Sequence, residues 1–184
     1  MSVSISAKIF KSILPFAALS AIMATIYVLH AGQISFFSLL NYEIVTVFGF
    51  IAAMGDIKSK QIPNTLVLAM LATWVFVTAF HVLFDVHSAI PKITASLLGF
   101  AVSSAMFLIV YLLSRKGLGG GDVKFMAAAG LYLGVSGSLS AIFIGTTLAA
   151  LFGLTLVLLK KIGRKDTFPL VPFLYGGILV TILV

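Results

Sequence analysis

Seven apolar segments divide the 184-residue chain, at roughly Ile13–Leu29, Phe36–Gly55, Thr65–Phe84, Ile93–Leu113, Val123–Gly134, Leu139–Leu159 and Leu170–Val184. Several approach 20 residues, the length at which a helix crosses ~30 Å of hydrocarbon. A helix satisfies its own backbone in lipid, whereas an open strand edge does not. The pattern predicts an all-α protein, a polytopic transmembrane bundle of about six or seven helices. The fifth segment is short, at 12 residues, or about 18 Å as a helix. The seventh contains Pro172 and the pair Gly176–Gly177. Ala141, Gly145, Ala149 and Gly153 recur every four residues, as do Ala95, Gly99 and Ser103. Small residues at that spacing let helices approach closely in lipid.

Composition sharpens this picture. The chain is 61% hydrophobic and 9% charged, where a soluble domain is near half apolar and a quarter charged. No stretch is polar enough to make a second, soluble domain. The absence of cysteine excludes disulfides, thiol nucleophiles, iron–sulfur clusters and thiolate zinc sites.

The formal charge of +7 would suggest nucleic acid in a soluble protein. In a membrane protein it marks topology, because Lys and Arg collect in cytoplasmic loops. With the N-terminus in the cytoplasm and each segment crossing once, eleven basic residues fall inside: Lys8, Lys11, Lys58, Lys60, Arg115, Lys116, Lys124, Lys160, Lys161, Arg164 and Lys165. Lys92 alone falls outside. The split requires the short fifth segment to be a real crossing. The expected partners are membrane lipids, with no nucleic acid. The first segment has the basic start of a signal peptide, but "VLHAG" after it lacks a small-x-small cleavage pattern; it is read as retained.

The five acids sort by depth. Glu43 lies 13 residues before Asp56, ~20 Å up the second helix and near the outer face. Asp85 is in an outer loop, and Asp166 sits in the basic loop "KKIGRKD" as a solvated ion pair. Asp56 ends the second helix and Asp122 begins the fifth, both at the cytoplasmic boundary. An acid at a membrane boundary is costly to desolvate, and so points to function. Two carboxylates within a few ångströms cannot both ionise. Such a pair can strip a proton from water and protonate a carbonyl oxygen, titrating as one coupled unit. A carrier using intramembrane acids is the alternative, although it would place them near the bilayer midplane.

The flanks suit either a site or plain structure. In "GLGGGD", Gly117, Gly119, Gly120 and Gly121 permit positive φ and close backbone approach; an extended substrate could pair with such a strip. Equally, they make a turn with Asp122 as a helix cap. In "GDIKSKQIPNT", Pro63 pushes Ile62 out of helix, and Asn64 or Thr65 can cap the third helix. Lys58 and Lys60 mark topology or tune Asp56. Lys124 lies two residues past Asp122, on a different helix face. His30, His81 and His87 lie near the outer face and converge with no acid, so no metal site is expected.

An acid and "IPN" in one loop, followed by "GGGDVK" in a later one, resemble the type IV prepilin peptidase family, intramembrane aspartyl proteases of the G-x-G-D kind. The closing "FPLVPFL" is similar to that family's final motif, with Leu170–Val171 where the family more often has Phe–Gly. The resemblance covers about Gly55 to Tyr175. It implies that Asp56 and Asp122 are the catalytic pair, with Gly119, Gly120, Gly121, Lys58, Lys124, Pro63 and Asn64 binding substrate or supporting the site. It implies an endopeptidase without cofactor or metal that cuts the basic leader from pilin-like precursors (prepilins, tight-adherence pilins or archaellins) at the cytoplasmic membrane face. Larger members add a methyltransferase activity and a cytoplasmic domain with paired cysteines. This chain is similar to the short, peptidase-only type. The expected organisation is one transmembrane peptidase domain over 1–184, with an extra helix at 1–35 and a catalytic core at 36–184.

Overall fold

The computed structural model describes residues 2–114, 118–160 and 168–184, with side chains from residue 15 onward. It is helical throughout: α1 Ser2–His30, α2 Phe36–Ser59, α3 Asn64–Phe84, α4 Val86–Leu113, α5 Gly120–Leu158 and α6 Val171–Leu183. Four of them, α2 to α5, are long and apolar enough to cross a membrane. Arg115, Lys116, Gly117, Lys161, Arg164, Lys165 and Asp166 lie outside the described residues, as do the side chains of Lys8 and Lys11.

The fifth and sixth apolar segments both fall within α5. At 39 residues a straight α5 would run about 58 Å, twice the hydrocarbon thickness. It is broken at Gly134, whose φ of 67° and ψ of −171° are adopted almost only by glycine. The packing register shows that the chain reverses there. On α6, Thr181 lies beside Gly137, Gly177 beside Ala141 and Gly145, and Leu174 beside Gly145. Phe168, just before α6, lies beside Gly153. Numbers rise on one element as they fall on the other, so the second arm of α5 is antiparallel to α6. In turn α6 is antiparallel to α2, with Val171 at Asp56 and Tyr175 at Gly49. The two arms of α5 therefore run in opposite directions. The seven apolar segments thus lie in six described helices, the fifth and sixth segments forming the two arms of α5 on either side of one glycine turn.

Glycine makes these contacts possible. A Cβ on Gly177 would sit 2.6 Å from the Gly145 nitrogen, and one on Gly130 would sit 2.7 Å from the Gly99 carbonyl carbon. Ala141, Gly145, Ala149 and Gly153 are all buried, so the four-residue spacing is a packing face. The core between the helices is filled by Phe125, Met126, Met70, Leu174 and Ile178. Helix α1 leans on α2 through Phe16 against Phe50 and His30 against Tyr42.

Polar anchoring marks the end of the bundle away from Asp56. Lys92 Nζ donates to Ser38 Oγ at 2.8 Å and also to Ser35 Oγ. His81 stacks on Phe37 with centroids 4.2 Å apart, and its Nε2 lies 3.0 Å from Ser88 Oγ. Asp85 caps α4 by accepting from the Ser88 N–H at 3.2 Å. All three histidines and Lys92 lie at this end, as their places along the helices require. Lys58, Lys60, Lys124 and Lys160 lie at the other.

Candidate active site

Asp56 occupies the last turn of α2. The helix stops four residues on because Lys60 takes the left-handed conformation, φ 51° and ψ 33°, its N–H closing on the Asp56 carbonyl at 2.8 Å. Three residues then lead to α3. Pro63, at φ −68° and ψ 139°, is the residue before its first turn, and Asn64 opens it. The short link leaves the end of α2 and the start of α3 side by side. The Asp56 side chain is buried, 5% exposed. It is not left unsatisfied: the Val171 N–H donates to its Oδ2 at 3.0 Å. That donor is the first residue of α6, a helix whose first N–H groups have no partner within it. The positive end of the α6 dipole thus faces a carboxylate.

Asp122 is held in the same manner by its own helix. Gly119 precedes the first turn of α5, and its N–H donates to Asp122 Oδ2 at 3.1 Å. The acid is therefore the third residue of the helix rather than its cap. The three described glycines of "GLGGGD" differ from one another. None has positive φ, so their value at this place is close approach. A Cβ on Gly119 would touch Asp122 Oδ2 at 3.0 Å, and one on Gly121 would press on the Ile62 Cβ at 3.2 Å. Above Gly120 there is open space.

The two acids come to the same end of the bundle from α2 and α5. The charge of Asp56 bears on Asp122, and that of Lys60 bears on Asp56. Ile62, packed on Gly121, closes the seam between the loop after Asp56 and the helix of Asp122. Lys124 Nζ donates to Asn64 Oδ1 at 3.0 Å across the same seam. Lys58 is exposed on the last turn of α2. Pro63 acts through the backbone, setting the entry to α3. Glu43 is half-buried in the far half of α2, and its Oε2 has no partner among the described residues. Among the described residues no group of three or more His, Asp or Glu could hold a metal ion.

A model of the type IV leader peptidase family matches residues 43–154, well over half of the chain and including both acids. The chain belongs to the type IV leader peptidase family. Among its curated relatives is a prepilin leader peptidase/N-methyltransferase of Bacillus subtilis, 29% identical over 133 residues, which are 72% of this chain and 51% of the relative. A preflagellin peptidase of Methanococcus maripaludis is 29% identical over 94 residues, 50% of this chain and 38% of its own. A prepilin leader peptidase/N-methyltransferase of Xanthomonas campestris is 28% identical over 129 residues, 68% of this chain and 44% of that protein. The chain thus spans about half or less of the length of these relatives. No solved structure matches it. The carrier alternative finds no support among these relatives. The family match ends before α6, so the bond from Val171 to Asp56 lies partly outside the matched residues and is seen in the packed helices of this chain. One sequence signal pointed there: Pro172, in the first turn of α6, marks a helix start, and a helix start offers free N–H groups to an acid.

Proposed function

We propose that this protein is an intramembrane aspartic endopeptidase, with Asp56 and Asp122 as its catalytic pair, that removes the basic leader from type IV pilin-like precursors. The observation that carries this is the convergence of the two acids. They come from different helices and reach one end of the bundle, where the charge of Asp56 bears on Asp122. The names of the relatives, prepilin leader peptidase and preflagellin peptidase, give the substrate class. The split of basic residues supports a cytoplasmic placing of that end in the cell membrane, with the N-terminus on the same side. Residues 36–184 form the catalytic core in this reading, and α1 is an added helix.

A precursor presents a short basic leader followed by an apolar helix, and its scissile bond lies at the membrane boundary, level with the pair. One carboxylate takes a proton from water as the oxygen adds to the peptide carbonyl carbon. The other, protonated, gives its proton to the carbonyl oxygen. The resulting diol collapses. As the C–N bond breaks, the leaving nitrogen takes a proton from the acid that had received one from water. The other carboxylate regains its proton from a diol hydroxyl as the carbonyl re-forms, which returns both acids to their starting states. The Val171 N–H orients Asp56, and the Gly119 N–H orients Asp122.

The test is coexpression with pilin and archaellin precursors, scored by loss of the leader. Asp56→Asn and Asp122→Asn should each reduce cleavage by more than ~10²-fold while the protein still inserts. Near wild-type processing by either variant would refute the assignment. The wild-type rate should follow a bell-shaped pH profile with two apparent values belonging to the pair.

A further inference from the structure

The bond between Lys124 and Asn64 joins the helix of Asp122 to the first residue of α3, about two turns from the buried bond of Tyr132 to the Met70 carbonyl. Lys124 and Asn64 are 60 positions apart, and their bond lies 3.0 Å long at the rim of the site. It sits beside a second contact, Gly121 against Ile62. Both ends of this seam are stiff. On one side Lys60 is held in the left-handed region and Pro63 fixes its own φ. On the other, Asp122 is tied back to Gly119 within the first turn of α5. Rigid elements meeting at two points leave little freedom for the first turn of α5 to slide along the loop. That turn carries Asp122, and the loop begins four residues after Asp56. Asn64 is the first residue of α3, one past Pro63 at the cap position, so its side chain is not engaged in capping the helix start. Its carbonyl oxygen instead accepts from Lys124.

We propose that Lys124 is a positioning residue that, through Asn64, latches the start of α5 to the loop after Asp56 and so sets how the Asp122 carboxylate faces Asp56. This rests on the peptidase reading above for its consequence in catalysis, and on the fold alone for its geometry. Lys124 and Asn64 are both exposed. An exposed bond of this kind contributes little to folding, so its removal leaves an intact bundle. Its effect falls on alignment, where a displacement of about 1 Å costs on the order of 10²-fold in rate.

The absence of cysteine gives a direct geometric test. An added Cβ at Gly121 lies close to that of Ile62, near the Cβ separation of a disulfide. The pair Ile62→Cys and Gly121→Cys, oxidised with copper–phenanthroline, should therefore cross-link readily. Adding Lys124→Met or Asn64→Ala should slow cross-linking by about five-fold, and Lys124→Arg should restore part of it. An unchanged rate would overturn the latch whatever the protein cleaves. In the otherwise native chain, Lys124→Met and Asn64→Ala should each lower kcat by about ten-fold with KM nearly constant. The double variant should be no slower than the worse single one. Additive losses, or a loss carried in KM alone, would mean that Lys124 meets substrate directly and would reject the positioning role. Failure of the peptidase reading has a different signature: cleavage surviving Asp56→Asn or Asp122→Asn, or no cleavage of any precursor, with cross-linking still dependent on Lys124.

Discussion

Replacing Gly119 with alanine should separate the geometry of the site from the stability of the fold. The backbone at Gly119, φ −74° and ψ 138°, is open to any residue, so alanine introduces no strain there. Its methyl group would arrive 3.0 Å from Asp122 Oδ2, a few tenths of an ångström inside ordinary contact. The carboxylate is the freer partner and must retreat. Its bond from the Gly119 N–H, now 3.1 Å, then stretches beyond useful length. Asp122 is only half-buried, so water replaces the lost donor and the cost is about 1 kcal/mol. Alanine also restricts the unfolded chain, which offsets about 0.4–1 kcal/mol. The net change in thermal stability should be close to zero. Activity should fall by about ten-fold, in kcat, because a shift of roughly half an ångström acts on the group that must meet the substrate. Gly120→Ala is the companion: its methyl meets nothing within 4 Å, and its kcat should stay within about two-fold of wild type. The assay is leader cleavage from a purified precursor in detergent, beside a melting curve for each variant. Equal loss in the two variants, or full kcat in Gly119→Ala, would refute the claim that this glycine makes room for the carboxylate.

Other substitutions probe the frame around the site. Gly177→Ala forces a methyl against the Gly145 backbone, 2.6 Å from its nitrogen; overpacking should lower stability by about 1–3 kcal/mol, read as a reduced Tm, and should loosen the α6 donor to Asp56. Tyr132→Phe removes the hydroxyl that donates to the Met70 carbonyl and should cost about 1 kcal/mol with cleavage retained; a drop in kcat without a drop in Tm would assign that hydroxyl a role in the chemistry. At the far end, the Ser88 hydroxyl and then the Ser88 N–H hold the Asp85 carboxyl below its ordinary value of 3.8. A depressed acid stabilises the fold above its unfolded value and loses that contribution as pH falls through the lower, folded one. The melting temperature should therefore fall in acid below about pH 4, and Asp85→Asn should flatten that dependence; an unaltered acid limb in Asp85→Asn would show that the cap does not titrate with folding.

The elements of the bundle were legible because lipid leaves little choice: an apolar run near 20 residues must be helical, and each of the seven segments lies in a helix. The reversal inside α5 was legible in part. The sequence breaks between the fifth and sixth segments at "GVSGS", residues 134 to 138, and charge counting asked for a crossing there. What the sequence could not show is that the break needs no loop, because the chain turns on the single backbone conformation of Gly134. Pairing Asp56 with Asp122 came from depth, a one-dimensional quantity that the charge pattern fixes. What depth cannot give is azimuth, the direction in which each side chain points around its helix. Hence the bond from Val171 to Asp56, and the meeting of Asn64 with Lys124, are visible only once the helices are packed. The same limit explains the glycines. Their run suggested unusual φ angles, but the described ones are extended or helical, and the constraint on them comes from neighbours supplied by other parts of the chain. Ile62 faces Gly121 because Pro63 and Lys60 bend the loop that way. A site assembled at a seam between helices is specified by the close approach of distant backbones, and that approach depends on every small residue along the α4, α5 and α6 interfaces. The two arms of α5 make the point concretely: the first must pack on α4 through Gly130 and Gly99, and the second on α6 through Gly145 and Gly177, before Asp122 and Val171 can both reach the end of α2.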